Sequence, residues 1–202
     1  MNQPSDHILK ETGLSPVNGL VLAGGKSTRM GEDKGGIFYH GLPQREHAAQ
    51  LLDRHCAQTF ISTSKKIETS FEVIPDSHEN LGPFGGILSA FERDPNAAWL
   101  VVATDIPMLD EQSIRQLIQH RNPLKMATCF RNVETDRLEP LITLWEPRVY
   151  PLLQESLSKG DFCVRKLLID HEVQELQIHH PDVLINANTP EEKEQILSRI
   201  HG

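Results

Sequence analysis

The sequence lacks any apolar run approaching the ~20 residues that a membrane-spanning helix needs, so no membrane association is expected. It is poor in cysteine. Cys56, Cys129 and Cys163 are odd in number, far apart, and show no Cys-x-x-Cys spacing. That excludes a disulfide framework and a zinc site and points to reduced thiols. Positive charge is short as well: 20 Lys and Arg stand against 28 Asp and Glu, for a formal net charge of −8. A field of that sign repels a nucleic-acid backbone, which argues against DNA or RNA as a partner. It is still compatible with one small phosphate ligand in a locally positive pocket. The first residues, MNQPSDHILKETGLSP, have neither a basic start nor an apolar segment, so no signal peptide is expected and a cytoplasmic location is. The ten histidines are scattered, and the one doublet, His179-His180, has no metal-ligand companion.

What is present is enough for a core. Leu, Ile, Val and Phe exceed a quarter of the chain, clear of the floor of about 20% below which chains stay disordered. At 202 residues one domain is the default. Residues 1–16 read as a flexible arm and 17–202 as a single domain. Apolar strand-like runs over 17–23, 59–63, 71–75 and 98–103 alternate with helical spacing over 45–56, 84–92 and 111–120. Further strands are expected over 126–130, 138–145, 173–178 and 183–185, and further helices over 147–158, 161–170 and 189–200. The alternation predicts a three-layer α/β/α Rossmann-like fold, with a mostly parallel sheet and one antiparallel excursion over 126–145. Ligands of such sheets bind at the carboxyl ends of the strands. The places to look are therefore just after Ala23, Ile74 and Ala103.

After the first run stands LAGGKSTRMGEDK, residues 22–34. Glycines let backbone N–H groups approach an anion, and Arg29 and Lys34 suit phosphate oxygens. Gly25-Lys26-Ser27 mimics the end of a P-loop, but the leading glycine that motif needs would fall at Leu20. A plain strand–helix turn explains one or two glycines, not three with two separated cations. After the strand ending at Ile74 come Asp76 and Leu81-Gly82-Pro83-Phe84-Gly85-Gly86, a glycine-rich helix start; an ordinary capped loop is the competing reading. Asp105, at the end of the most apolar strand, is a hard oxygen ligand suited to Mg²⁺, or a simple turn former. Asn186-Ala187-Asn188-Thr189-Pro190-Glu191-Glu192 contains a capping box, Thr189 with Glu192, that does not account for Asn186 or Asn188.

LAGGKSTRMGEDK resembles the LAGG-x-S-x-RMG-x-DK signature of the molybdenum cofactor guanylyltransferases, within the nucleotidyltransferases of glycosyltransferase-A-like fold. The likeness extends over about residues 17–200. It implies that Leu22, Ala23 and Gly24 line a nucleotide site through their backbone. Gly25 and Arg29 would face the phosphates, and Lys34 would neutralise charge at the α-phosphate. By the same likeness Asp76 contacts the nucleotide, the Gly82–Gly86 turn makes room for base and ribose, and Asp105 holds the metal. Asn186 and Asn188 reach toward metal or acceptor. Ser62, a further nucleotide contact, stands where relatives commonly carry Asn. Gly41-Leu42-Pro43-Gln44 replaces a Gly-Lys-Pro-Leu turn, and Thr104 precedes Asp105 where relatives carry Cys. Near an acceptor phosphate the candidates are Arg165 and Lys166, with a solvated helix face as the alternative.

The implied reaction transfers GMP from GTP to the phosphate of molybdenum-bearing molybdopterin, with Mg²⁺ as cofactor and pyrophosphate as product. A molybdoenzyme or its delivery chaperone would receive the product. Three alternatives stay open: a relative using CTP, one using another phosphate acceptor, and a non-catalytic nucleotide-binding protein for cofactor delivery.

Overall fold

A computed structural model describes residues 14–24, 33–78, 80–178 and 180–201. Seven strands, β1 (Val17–Leu22), β2 (Thr59–Ser62), β3 (Glu72–Ile74), β4 (Ala98–Ala103), β5 (Ala127–Asn132), β6 (Arg137–Trp145) and β7 (Gln174–Gln177), form one sheet in the order β3-β2-β1-β4-β6-β5-β7. β6 runs antiparallel to both its neighbours, and every other pairing is parallel. This is the expected sheet with its one reversal.

The central strands are apolar on both sides because helices cover both faces. Period-two alternation sorts them. In β4, Ala98, Leu100 and Val102 pack with α1 (Gln44–Asp53) and α3 (Glu111–Gln119) through Ala48, Leu52, Ile114 and Leu117. Trp99, Val101 and Ala103 face the other layer, of α2 (Pro83–Arg93), α4 (Tyr150–Lys159) and α5 (Val164–Asp170). α6 (Pro190–His201) belongs to a small third cluster, in which Ile37, Tyr39, Ala187 and Ile196 are buried together and Met108 packs against them.

Two expected elements differ. Residues 183–185 are not a strand: Pro181–Leu184 is a 3-10 turn, opened by Pro181, whose fixed φ suits the first helical position. The helix expected over 147–158 starts as a 3-10 turn at Pro147–Val149 before α4. The capping box is present, with Glu192 N–H donating to Thr189 Oγ1 at 3.2 Å and Thr189 N–H to Glu192 Oε2 at 3.0 Å. The last residues of the expected arm are fastened, since Ser15 O accepts from Arg121 Nη1 at 2.7 Å. Arg121 also forks onto Glu146 at 2.7 and 2.8 Å, and both side chains are buried. Removing either partner would strand a buried charge, at a cost of about 3–5 kcal/mol.

Candidate active site

The carboxyl ends of β1, β2, β3 and β4 open onto one cavity of about 740 Å³. Its wall contains Leu22, Ala23, Gly24, Lys34, Ser62, Asp76, Gly82 and Asp105, residues from four separate stretches of sequence. Gly25 and Arg29 lie outside the described residues. Asn186 and Asn188 are not among the lining residues. Asn188 nevertheless accepts from Lys34 Nζ at 2.7 Å, while Asn186 is exposed, its amide donating to Leu184 O at 3.4 Å.

Lys34 opens a short 3-10 turn, Lys34–Gly36, held by Gly36 N–H on Asp33 O at 2.9 Å. Asp33 is itself pinned: its carboxylate takes Arg45 Nη1 at 2.8 Å and Lys65 Nζ at 3.2 Å. The Lys34 ammonium donates to a neutral amide, and among the described residues no carboxylate forms an ion pair with it.

Asp105 sits where β4 has just ended. Its Oδ1 is buried and has no hydrogen-bond partner among the described residues. Burial raises its pKa above the usual carboxylate range, and the charge of Lys34 opposes that rise. An unpaired buried carboxylate oxygen beside a cation-lined cavity is costly unless something fills it. Among the described residues no three His, Cys, Asp or Glu groups converge as a metal cage. A cation held at Asp105 would therefore take most of its ligands from water and substrate oxygens, the pattern typical of Mg²⁺.

On the far wall the start of α2 is built for close approach. Gly82 has φ +60°, a left-handed conformation that glycine adopts without a Cβ penalty. A Cβ at Gly85 would lie 2.7 Å from both Asp76 Oδ1 and His78 O, and one at Gly86 2.7 Å from Ser62 Oγ and Leu22 Cδ2. These two glycines let Asp76 and Ser62 lie flat against the helix start. Asp76 Oδ1 also accepts the His78 N–H at 3.0 Å.

The residues considered for an acceptor phosphate lie elsewhere and are engaged. Arg165 Nε donates to Leu138 O at 3.1 Å, and Lys166 Nζ pairs with Asp161 at 2.5 Å. Sequence reading missed Lys65 and Asn80, both in the cavity wall. Lys65 could have been found by applying the strand-end rule after Ser62. Asn80, with φ 66°, carries no such signal.

Comparison with known proteins agrees with this architecture. Residues 19–176 match the MobA-like NTP transferase domain family. A molybdenum cofactor biosynthesis bifunctional protein of Synechocystis sp. is 34% identical over 190 residues, which is 90% of this chain. The chain spans only about half of that relative's length, 54%. The molybdenum cofactor guanylyltransferase of Xanthomonas euvesicatoria pv. vesicatoria is 31% identical over 194 residues, 90% of this chain and 95% of that protein. The crystal structure of molybdopterin-guanine dinucleotide biosynthesis protein A from Archaeoglobus fulgidus has the same fold, with TM-score 0.76 at 19% identity, over 90% of this chain and 97% of the other. With its seven-stranded sheet and its cavity at the strand ends, the chain belongs to the MobA-like NTP transferase family and is a nucleotidyltransferase.

Proposed function

We propose that the chain transfers GMP from GTP to the phosphate of molybdenum-bearing molybdopterin, releasing pyrophosphate and forming the guanine dinucleotide cofactor. The observation that carries this reading is that Lys34 and Asp105, whose Oδ1 is buried without a hydrogen-bond partner among the described residues, stand 71 positions apart and line one cavity. Asp105 would hold a divalent cation, Mg²⁺ by the hardness of its oxygen donor. When bound, such a cation neutralises charge on phosphate oxygens.

The chain's own residues do the rest. Lys34, fixed by Asn188, presents a point charge to the phosphate chain. The backbone of Leu22, Ala23 and Gly24 and the flat wall formed by Asp76, Gly82 and Ser62 hold the nucleoside, with Gly25 and Arg29 assigned to the phosphates by motif alone. An acceptor phosphate oxygen forms the new bond to the α-phosphorus while the bond to pyrophosphate breaks. That oxygen is already ionised near neutral pH, so positioning and charge cancellation suffice without a general base.

In this reading residues 17–202 act as one domain and 1–16 as an arm. The protein works in the cytoplasm without nucleic acid or membrane, and a molybdoenzyme or its chaperone receives the product. Among the described residues no helix is long and apolar enough to cross a membrane.

The test is a calorimetric titration of GTP, CTP, ATP and UTP with Mg²⁺, paired with pyrophosphate release on molybdopterin. GTP should bind tightest and turn over. The variant Asp105→Ala should lose Mg²⁺-dependent release. Preference for CTP would reassign the base, and tight GTP binding with no pyrophosphate released over hours would favour a delivery protein.

A further inference from the structure

The segment that follows Lys34 folds back toward the Asp105 loop. His40 Nε2 lies 2.8 Å from the carbonyl oxygen of Pro107, two residues beyond Asp105. A carbonyl only accepts, so Nε2 carries the proton and donates it. The His40 ring is held from behind by His47 of α1, with ring centroids 3.9 Å apart and planes inclined by 16°. Burial, with smaller contributions from His40 and Arg54, lowers the His47 pKa to about 4, so the stack does not set two cations face to face at neutral pH.

The Asp105 loop is clamped from three directions. At its start, Thr104 N–H donates to Leu22 O of β1 at 3.3 Å. In its middle, Ala187 N–H donates to the carbonyl of Asp105 itself at 2.9 Å. At its end stands the His40 bond. The His40 segment, the Asp105 loop and the Ala187 segment share the third apolar cluster, through Ile37 and Tyr39, Met108, and Ala187 with Ile196. Two of the clamps are backbone bonds; His40 makes the third with its side chain.

We propose that His40 is a positioning residue, whose Nε2–H tethers the Asp105 loop to the Lys34 segment and so fixes the separation between the metal-holding carboxylate and the phosphate-facing ammonium. The inference rests on the reading of Asp105 and Lys34 given above. Its energetic logic is that a misplacement of about 1 Å in such a pair can cost as much as 10²-fold in rate.

Two variants of the full chain separate donor from ring. His40→Phe keeps the stack on His47 and removes the donor. His40→Gln restores an N–H donor at the same reach and removes the ring. Three readouts apply: kcat and KM for GTP, Mn²⁺ affinity by paramagnetic resonance with GTP present, and hydrogen exchange at the Leu109 amide, which closes the Asp105 loop on Ile106 O.

For His40→Phe, kcat should fall by about 10- to 100-fold with KM for GTP little changed. Mn²⁺ should bind several-fold more weakly, and Leu109 should exchange faster at an unchanged Tm. His40→Gln should recover most of all three. The tether is overturned if His40→Phe matches wild type, or if His40→Gln is as impaired as His40→Phe. If the wild-type chain releases no pyrophosphate from GTP and molybdopterin, the reaction assignment fails, while Mn²⁺ binding and exchange still decide the tether.

Discussion

The cavity rim and the β5–β7 edge of the sheet carry the same kinds of charged residue in different company. At the edge, Arg131 forks onto Glu175 at 2.7 and 2.8 Å and touches Asp136 at 3.1 Å, and Lys125 meets Glu172 at 2.7 Å. The hydrogen bond from Arg131 pulls the Glu175 carboxyl below its ordinary range, and that from Lys125 does the same to Glu172. Those cations are consumed by carboxylates. At the rim Lys34 has a neutral amide for a partner, and Lys65 shares Asp33 with the less exposed Arg45. Charge left uncancelled at the mouth of a cavity is charge available to a phosphate. Charge matched by an exposed carboxylate mainly orders the surface and contributes little.

The sharpest way to break this contrast is Lys34→Ala. Loss of one preorganised electrostatic donor should lower turnover by about 10²-fold or more in a pyrophosphate-release assay. A rate near wild type would place Lys34 with the edge cations. A smaller effect is expected at Lys65, which must leave Asp33 to meet a ligand. Lys65→Ala should raise KM for GTP by about 3- to 10-fold with kcat retained, the mark of uniform binding. Arg131→Ala in the same assay should leave both constants alone.

The last expectation concerns stability. The folded state raises the pKa of Asp105 above its unfolded value, so the ionised carboxylate opposes folding above that raised pKa. Below the unfolded pKa both states are protonated and the penalty is absent. In metal-free buffer Asp105→Asn should therefore be more stable than wild type at pH 7, by on the order of 1 kcal/mol, while losing activity. The gain should shrink as pH falls through the carboxylate range, as denaturant titration at several pH values would reveal.

The strands of the central sheet were legible because both faces are buried. Runs such as AWLVVA leave few alternatives, and the observed β4 occupies the six expected residues. Residues 183–185 lie in and just after the Pro181–Leu184 3-10 turn and do not form the expected strand, because a short apolar run has no periodicity of its own and Pro181 favours a helical first turn. In the site, LAGGKSTRMGEDK and Asp105 stood out as strand-end motifs. Lys65 and His40 did not, because each acts through a partner 32 or 67 positions away.

Alternation of apolar runs thus determined the layer architecture, the LAGGKSTRMGEDK signature pointed to the family, and strand-end motifs located part of the cavity wall, because these depend on local pattern and on which side of a strand each residue faces. The pairing of Lys34 with Asn188, the unpartnered oxygen of Asp105 and the His40 bond to Pro107 were decided only by tertiary structure. Distances between loops depend on how helices pack across the sheet, and no local stretch of sequence encodes them.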